Sequence, residues 1–72
     1  MGEVVALPLR RASVLPDVRG DRRALQVTWH AQDDVFVISL WRAGECTGSV
    51  RLAAADAAIL VGALADGLAE RG

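Results

Sequence analysis

Residues 35–41, Val-Phe-Val-Ile-Ser-Leu-Trp, constrain the fold more than any other segment, because six of the seven are apolar. The run is rich in β-branched and aromatic residues and is too short for an ordinary buried helix, so it reads as a central strand. Upstream, Leu25, Val27 and Trp29 alternate with Gln26, Thr28 and His30, the period of two expected of a half-buried strand. Downstream, Cys46 to Leu52 reads as a third strand, with Val50 and Leu52 facing one way and Thr47, Ser49 and Arg51 the other. The polar turn Ala31-Gln32-Asp33-Asp34 and the turn Ala43-Gly44-Glu45 are both short, which implies antiparallel neighbours.

From about Ala54 the period changes. Ala57, Leu60, Val61, Leu64 and Leu68 fall on one side of a helical wheel, while Asp56, Asp66 and Glu70 gather on another. Asp56 sits in the first turn, where the positive end of the helix dipole favours an acid. The fold class is therefore α+β, a three- or four-stranded antiparallel β-meander followed by one C-terminal amphipathic helix. Residues 24–72 form this sheet-and-helix domain. Residues 1–23 carry Pro8, Pro16, Gly2, Gly20 and five of the eight arginines, and read as an N-terminal arm or edge strand. Val4 to Leu7 is the expected edge strand there, ended by Pro8, which cannot donate to a ladder.

One helix covers one face of a sheet. Phe36, Ile38 and Leu40 are assigned to the helix-packed side, with Leu25, Val27, Trp29, Val50 and Leu52 from the flanking strands. The other face then presents Gln26, Thr28, His30, Val37, Ser39, Trp41, Thr47, Ser49 and Arg51, with Val35 at its margin. An apolar strip at the centre of a sheet calls for a cover. Three covers are open: a second subunit, the N-terminal arm, or a ligand such as an unstacked base on Trp41 with Arg51 beside it. The expected dimer interface is Val35, Val37, Trp41 and Ile59. The expected nucleic-acid or partner contacts are Trp41, Arg51, Thr28, Ser39, Ser49, Arg22 and Arg23.

A chain of 72 residues buries a marginal core, so it needs tight packing or a partner. Cys46 is the sole cysteine, which excludes an internal disulfide, and with His30 it is too small a ligand set for a conventional metal site. Cys46 reads as a small buried hydrophobe beside Glu45, an unfavourable setting for a reactive thiol. Arg10-Arg11-Ala12-Ser13 has the pattern of a basophilic kinase site, one short enough to arise by chance. No nucleophile, base and orienting group converge, so no enzyme, cofactor or metal is expected. No signal-peptide pattern or membrane-length apolar run is present, and the single free cysteine suits a cytoplasmic protein. Arginine without lysine, with abundant alanine, has the bias of a GC-rich, actinobacterial genome.

Thr28-Trp29-His30 to Trp41, then Gly48-Ser49-Val50-Arg51-Leu52, then a helix with Leu60, Leu64 and Leu68, resembles the positive-cofactor-four-like single-stranded-DNA-binding domains. The resemblance covers about residues 25–69. It implies a curved antiparallel sheet, a dimerising C-terminal helix and a role in transcription with single-stranded DNA. The lysine common around the glycine of that family's last strand is absent from Thr47-Gly48-Ser49, and the Arg42–Glu45 connection is shorter. Ile38-Ser39-Leu40-Trp41-Arg42 also resembles a segment of small uncharacterised actinobacterial proteins. The expected function is thus a non-catalytic, homodimeric regulatory module associated with single-stranded nucleic acid or a transcription protein. The alternative is a protein–protein interaction adaptor that binds no nucleic acid. A net charge of +2 on residues 1–23 and −3 on residues 24–72 favours nucleic acid only through the arm.

Overall fold

The computed structural model describes residues 12–72. They form a four-stranded antiparallel sheet, β1 (Ala12–Pro16), β2 (Arg23–His30), β3 (Val35–Arg42) and β4 (Glu45–Ala53), followed by one helix, α1 (Ala54–Arg71). The strand order β1-β2-β3-β4 is that of a meander, each strand paired with its sequence neighbour. The expected strand Val4–Leu7 and the Arg10-Arg11-Ala12-Ser13 pattern lie wholly or partly outside the described residues.

The register places the faces as the alternation requires. Leu25 pairs Leu40, Val27 pairs Ile38 and Trp29 pairs Phe36, while Phe36 pairs Leu52, Ile38 pairs Val50 and Leu40 pairs Gly48. Cross-strand partners share a face, so these residues line one apolar side of the sheet. The rings of Trp29 and Phe36 lie 4.6 Å apart at 44°, a tilted pair that staples β2 to β3 at this end. Gln26, Thr28 and His30 pair Ser39, Val37 and Val35 on the opposite side.

Two details differ from the pattern-based expectation. Among the described residues the outer strand is Ala12–Pro16, where Pro16 occupies the terminal position and withholds no interior ladder bond. Its turn closes because Asp17 folds back: Asp17 Oδ1 accepts from the Arg19 backbone N–H at 2.8 Å, and the Asp17 and Arg23 main chains are bonded at 3.0 Å. The second detail is a bulge. The β3–β4 register shifts between Leu40 and Trp41, so Gly48 faces Leu40 and Cys46 faces Trp41, leaving Thr47 as the extra residue. The Thr47 hydroxyl donates to the Leu40 carbonyl at 3.3 Å.

The β3–β4 hairpin turns through Ala43 and Gly44 with φ of 53° and 86°, the positive pair that matches the twist of the strands. Gly44 adopts this freely, whereas Ala43 bears a Cβ in the left-handed region. The helix leaves β4 directly, with extended Ala53 as its N-cap and no side-chain cap bond. Asp56 in the first turn and Arg71 in the last complement its dipole.

The core expected from the sequence forms only in part: Leu25, Val27, Trp29, Phe36, Ile38 and Leu52 are half-buried, and none of them fully. No apolar side chain among the described residues is buried, and Ser39, at 8% exposure, is the single buried residue. Leu40 and Val50 are half exposed on the side assigned to the helix. The helix touches β3 and β4 near its start, where Ala54 and Ala57 are half-buried, and its remaining length stands clear. The helix is about 27 Å long, and from Ile59 onward its apolar side chains are 40–69% exposed, so most of its length is left uncovered.

Candidate interaction surface

Two apolar surfaces are left open among the described residues. The first is the helix stripe. Leu60 is 40% exposed, and Val61, Leu64 and Leu68 are 60–65% exposed. Four such side chains aligned on one helix face form the kind of patch that marks an association site rather than a scatter of surface hydrophobes. Ile59 is more exposed still, at 69%, but it sits on the acidic side of the wheel, apart from the stripe.

The second surface is a groove of about 650 Å³ at the end of the sheet remote from the helix start. Leu15, Leu25 and Leu40 share its apolar floor through the β1–β2 and β2–β3 registers. Gly48 faces Leu40 across β4, and a Cβ there would meet nothing within 4 Å, so this flank of the sheet stays open. Arg19, Arg23 and Arg42 rim the groove, with Asp17 among them. The arginines come from two turns that converge: the Ala43 N–H donates to the Arg22 carbonyl at 2.9 Å, tying the β3–β4 turn to the β1–β2 loop.

Most of these cations are already engaged. Arg19 grips Asp17 through Nε and a guanidinium nitrogen, the closest contact being 2.6 Å. That hydrogen bond holds the Asp17 carboxyl well below its ordinary value and pushes the Arg19 guanidinium upward. Arg42 reaches Asp21 at 2.9 Å, and Arg23 Nε lies 3.4 Å from the same carboxylate. Arg23 Nε is nevertheless a buried donor without a hydrogen-bond partner. Arg51 stands 3.9 Å from Asp33. Arg22 makes no ion pair with another described residue.

The opposite face of the sheet carries hydrogen bonds between its own side chains. Trp41 Nε1 donates to Ser39 Oγ at 2.9 Å, so the indole lies over the serine two residues earlier and accounts for its burial. Gln26 donates to Thr28 at 3.4 Å on the neighbouring strand. Trp41, Ser39, Ser49, Thr28 and Arg51 therefore do share a face, whereas Arg22 and Arg23 lie in or beside the β1–β2 loop. Val35 and Val37 are half-buried. Trp41 is half-buried, bonds Ser39 through Nε1 and lines the groove. Cys46 is exposed, not the buried hydrophobe expected, because the edge position of β4 leaves it without a covering element.

The bond from Trp41 to Ser39 was open to sequence reasoning, since residues two apart on a strand share a face. The groove was not, because its floor depends on β1. No group of three or more potential metal ligands occurs among the described residues, and no helix there is long and apolar enough to cross a membrane. Set against known proteins, the chain matches no family model, no curated protein and no solved structure.

Proposed function

We propose that this chain is a non-catalytic, homodimeric binding module that acts by association, in the manner of a regulatory protein. One observation carries the reading: no apolar side chain among the described residues is buried, while a leucine-rich stripe runs along an open helix. A domain of this size has little stability to lose, and leaving such a stripe in water forgoes much of what burial could contribute. Sedimentation equilibrium over a wide concentration range tests it. A reversible monomer–dimer equilibrium is expected, and a cooperatively folded monomer at every concentration would overturn the reading.

Single-stranded nucleic acid is a second reading, favoured by the arginines gathered at one end of the sheet and by the positive-cofactor-four-like pattern of the strands. A dimer would double those charges, and Arg22 is the best-placed cation for a phosphate. The cytoplasm is the setting in which both readings operate. Titration with oligo-dT at low salt, followed by tryptophan fluorescence and anisotropy, separates the two. Binding that weakens with salt supports the nucleic-acid reading. A dimer indifferent to the oligonucleotide leaves a protein-interaction adaptor, which uses the same stripe.

A further inference from the structure

We infer that the arginine-rimmed groove of one copy is the seat for the apolar helix stripe of a second copy, so that two chains exchange helices. This deepens the dimer reading above and rests on it.

Three observations converge on a second copy as the occupant. Among the described residues two apolar surfaces are exposed, a stripe on α1 and a groove floored by Leu15, Leu25 and Leu40. A two-fold contact that places each stripe in the other copy's groove covers both surfaces at once and closes on itself.

The areas also agree. Leu15, Leu40, Leu60, Val61, Leu64 and Leu68 are 40–65% exposed. At roughly 100 Å² apiece they offer about 600 Å² per chain, the greater part of the ~800 Å² per partner of a standard interface. Helix-only pairing would use the stripe and leave the groove leucines in water.

The charges complete the fit. Arg19 and Arg42 are engaged by Asp17 and Asp21, and Arg71 already faces the last carbonyls of its own helix, so the donor left in the groove for a helix-end carbonyl is Arg23 Nε, buried without a hydrogen-bond partner. Seating the stripe also keeps Asp56, Asp66 and Glu70 on the outer side of the wheel, in water. Ile59 shares that outer side and stays out of the interface.

Disulfide trapping tests the seat. In a Cys46→Ser background, Thr47→Cys at the groove wall is combined with Leu64→Cys or, separately, with Leu68→Cys. The protein is oxidised at a concentration where sedimentation finds the dimer. A covalent dimer, reversed by reductant and formed by at least one of the two pairs, is the expected result. Mixing singly substituted chains, one with the groove cysteine and one with the helix cysteine, should give the same product. A covalent dimer from the helix cysteine alone overturns the exchange but spares the dimer. An oxidised monomer, showing the helix folded onto its own groove, overturns it too. A dimer that no groove–helix pair traps does likewise, and a monomer at all concentrations overturns both proposals.

Discussion

Leu64→Ala is the sharpest probe of where the missing burial lies. In the single chain Leu64 is 60% exposed, so about two fifths of its surface is covered. Removing a fully buried leucine costs about 2–5 kcal/mol, and scaling by the covered fraction leaves roughly 1–2 kcal/mol. The better helix propensity of alanine returns about 0.2 kcal/mol. An isolated chain should therefore lose no more than about 1–2 kcal/mol.

If a second copy completes the burial, each chain loses a further ~1–3 kcal/mol, and a dimer loses it twice. The dissociation constant then rises about 30-fold or more, at 1.4 kcal/mol per decade. Sedimentation equilibrium reads that constant directly, and thermal unfolding at two concentrations reads it through mass action. Ile59→Ala is the control, because Ile59 is 69% exposed on the acidic side of the helix, away from both stripe and groove, and should leave the association constant unchanged. A Leu64→Ala protein with the wild-type association constant would refute the reasoning. So would unfolding midpoints that do not depend on concentration.

Three further outcomes follow from local geometry. Ala43→Asn should stabilise the fold by about 1 kcal/mol in urea titration, since asparagine tolerates the positive φ of 53° that strains an alanine. Gly62→Ala should add about 1 kcal/mol while leaving the association constant unchanged, because a Cβ there meets nothing within 4 Å and Gly62 lies off the apolar stripe. Asp17, whose hydrogen bonds from Arg19 hold it low, should titrate by NMR well below its ordinary 3.8. A depressed carboxylate contributes stability above its unfolded value and loses it as pH falls through the folded value, so the β1–β2 hairpin should stay closed near pH 3.8 and open only under stronger acid. A midpoint at or above 3.8 would refute that pairing.

The strands β2, β3 and β4 were legible because alternation in Leu25–His30 and the apolar run Val35–Trp41 state a period directly. The helix start at Ala54 was legible for the same reason. β1 was not, since Pro16, Gly20 and the neighbouring arginines have the composition of an arm, and Val14-Leu15 is too short a signal to outweigh them. The Asp17-to-Arg19 turn that makes this segment a strand depends on a side-chain bond, which composition does not express. Alternation also says which face a residue occupies and nothing of whether another element covers it. That is why the register puts Phe36, Ile38 and Leu40 on one face, as alternation requires, while Leu40 is half exposed rather than buried. The candidate site was missed on the same ground, because its apolar floor joins β1 to β2 and β3.

Whether the arginine end serves nucleic acid turns on what those arginines already hold. Arg19 is matched to Asp17, and Arg23 and Arg42 share Asp21, so a phosphate must compete with a carboxylate at 2.6–3.4 Å for three of the four cations there. These pairs are exposed, and each is worth little to the fold, so breaking one is cheap to stability. Asp21→Asn should accordingly leave the protein folded while releasing Arg23 and Arg42 together. If the end binds single strands, the variant should bind oligo-dT more tightly. The slope of log K against log salt should also steepen by roughly 0.7 for each new phosphate contact. If its purpose is to receive a helix end, the same release should strengthen the dimer and create no affinity for the oligonucleotide. An Asp21→Asn protein changed in neither respect would mean that these cations serve only the two turns, and both roles for the arginine rim would fall.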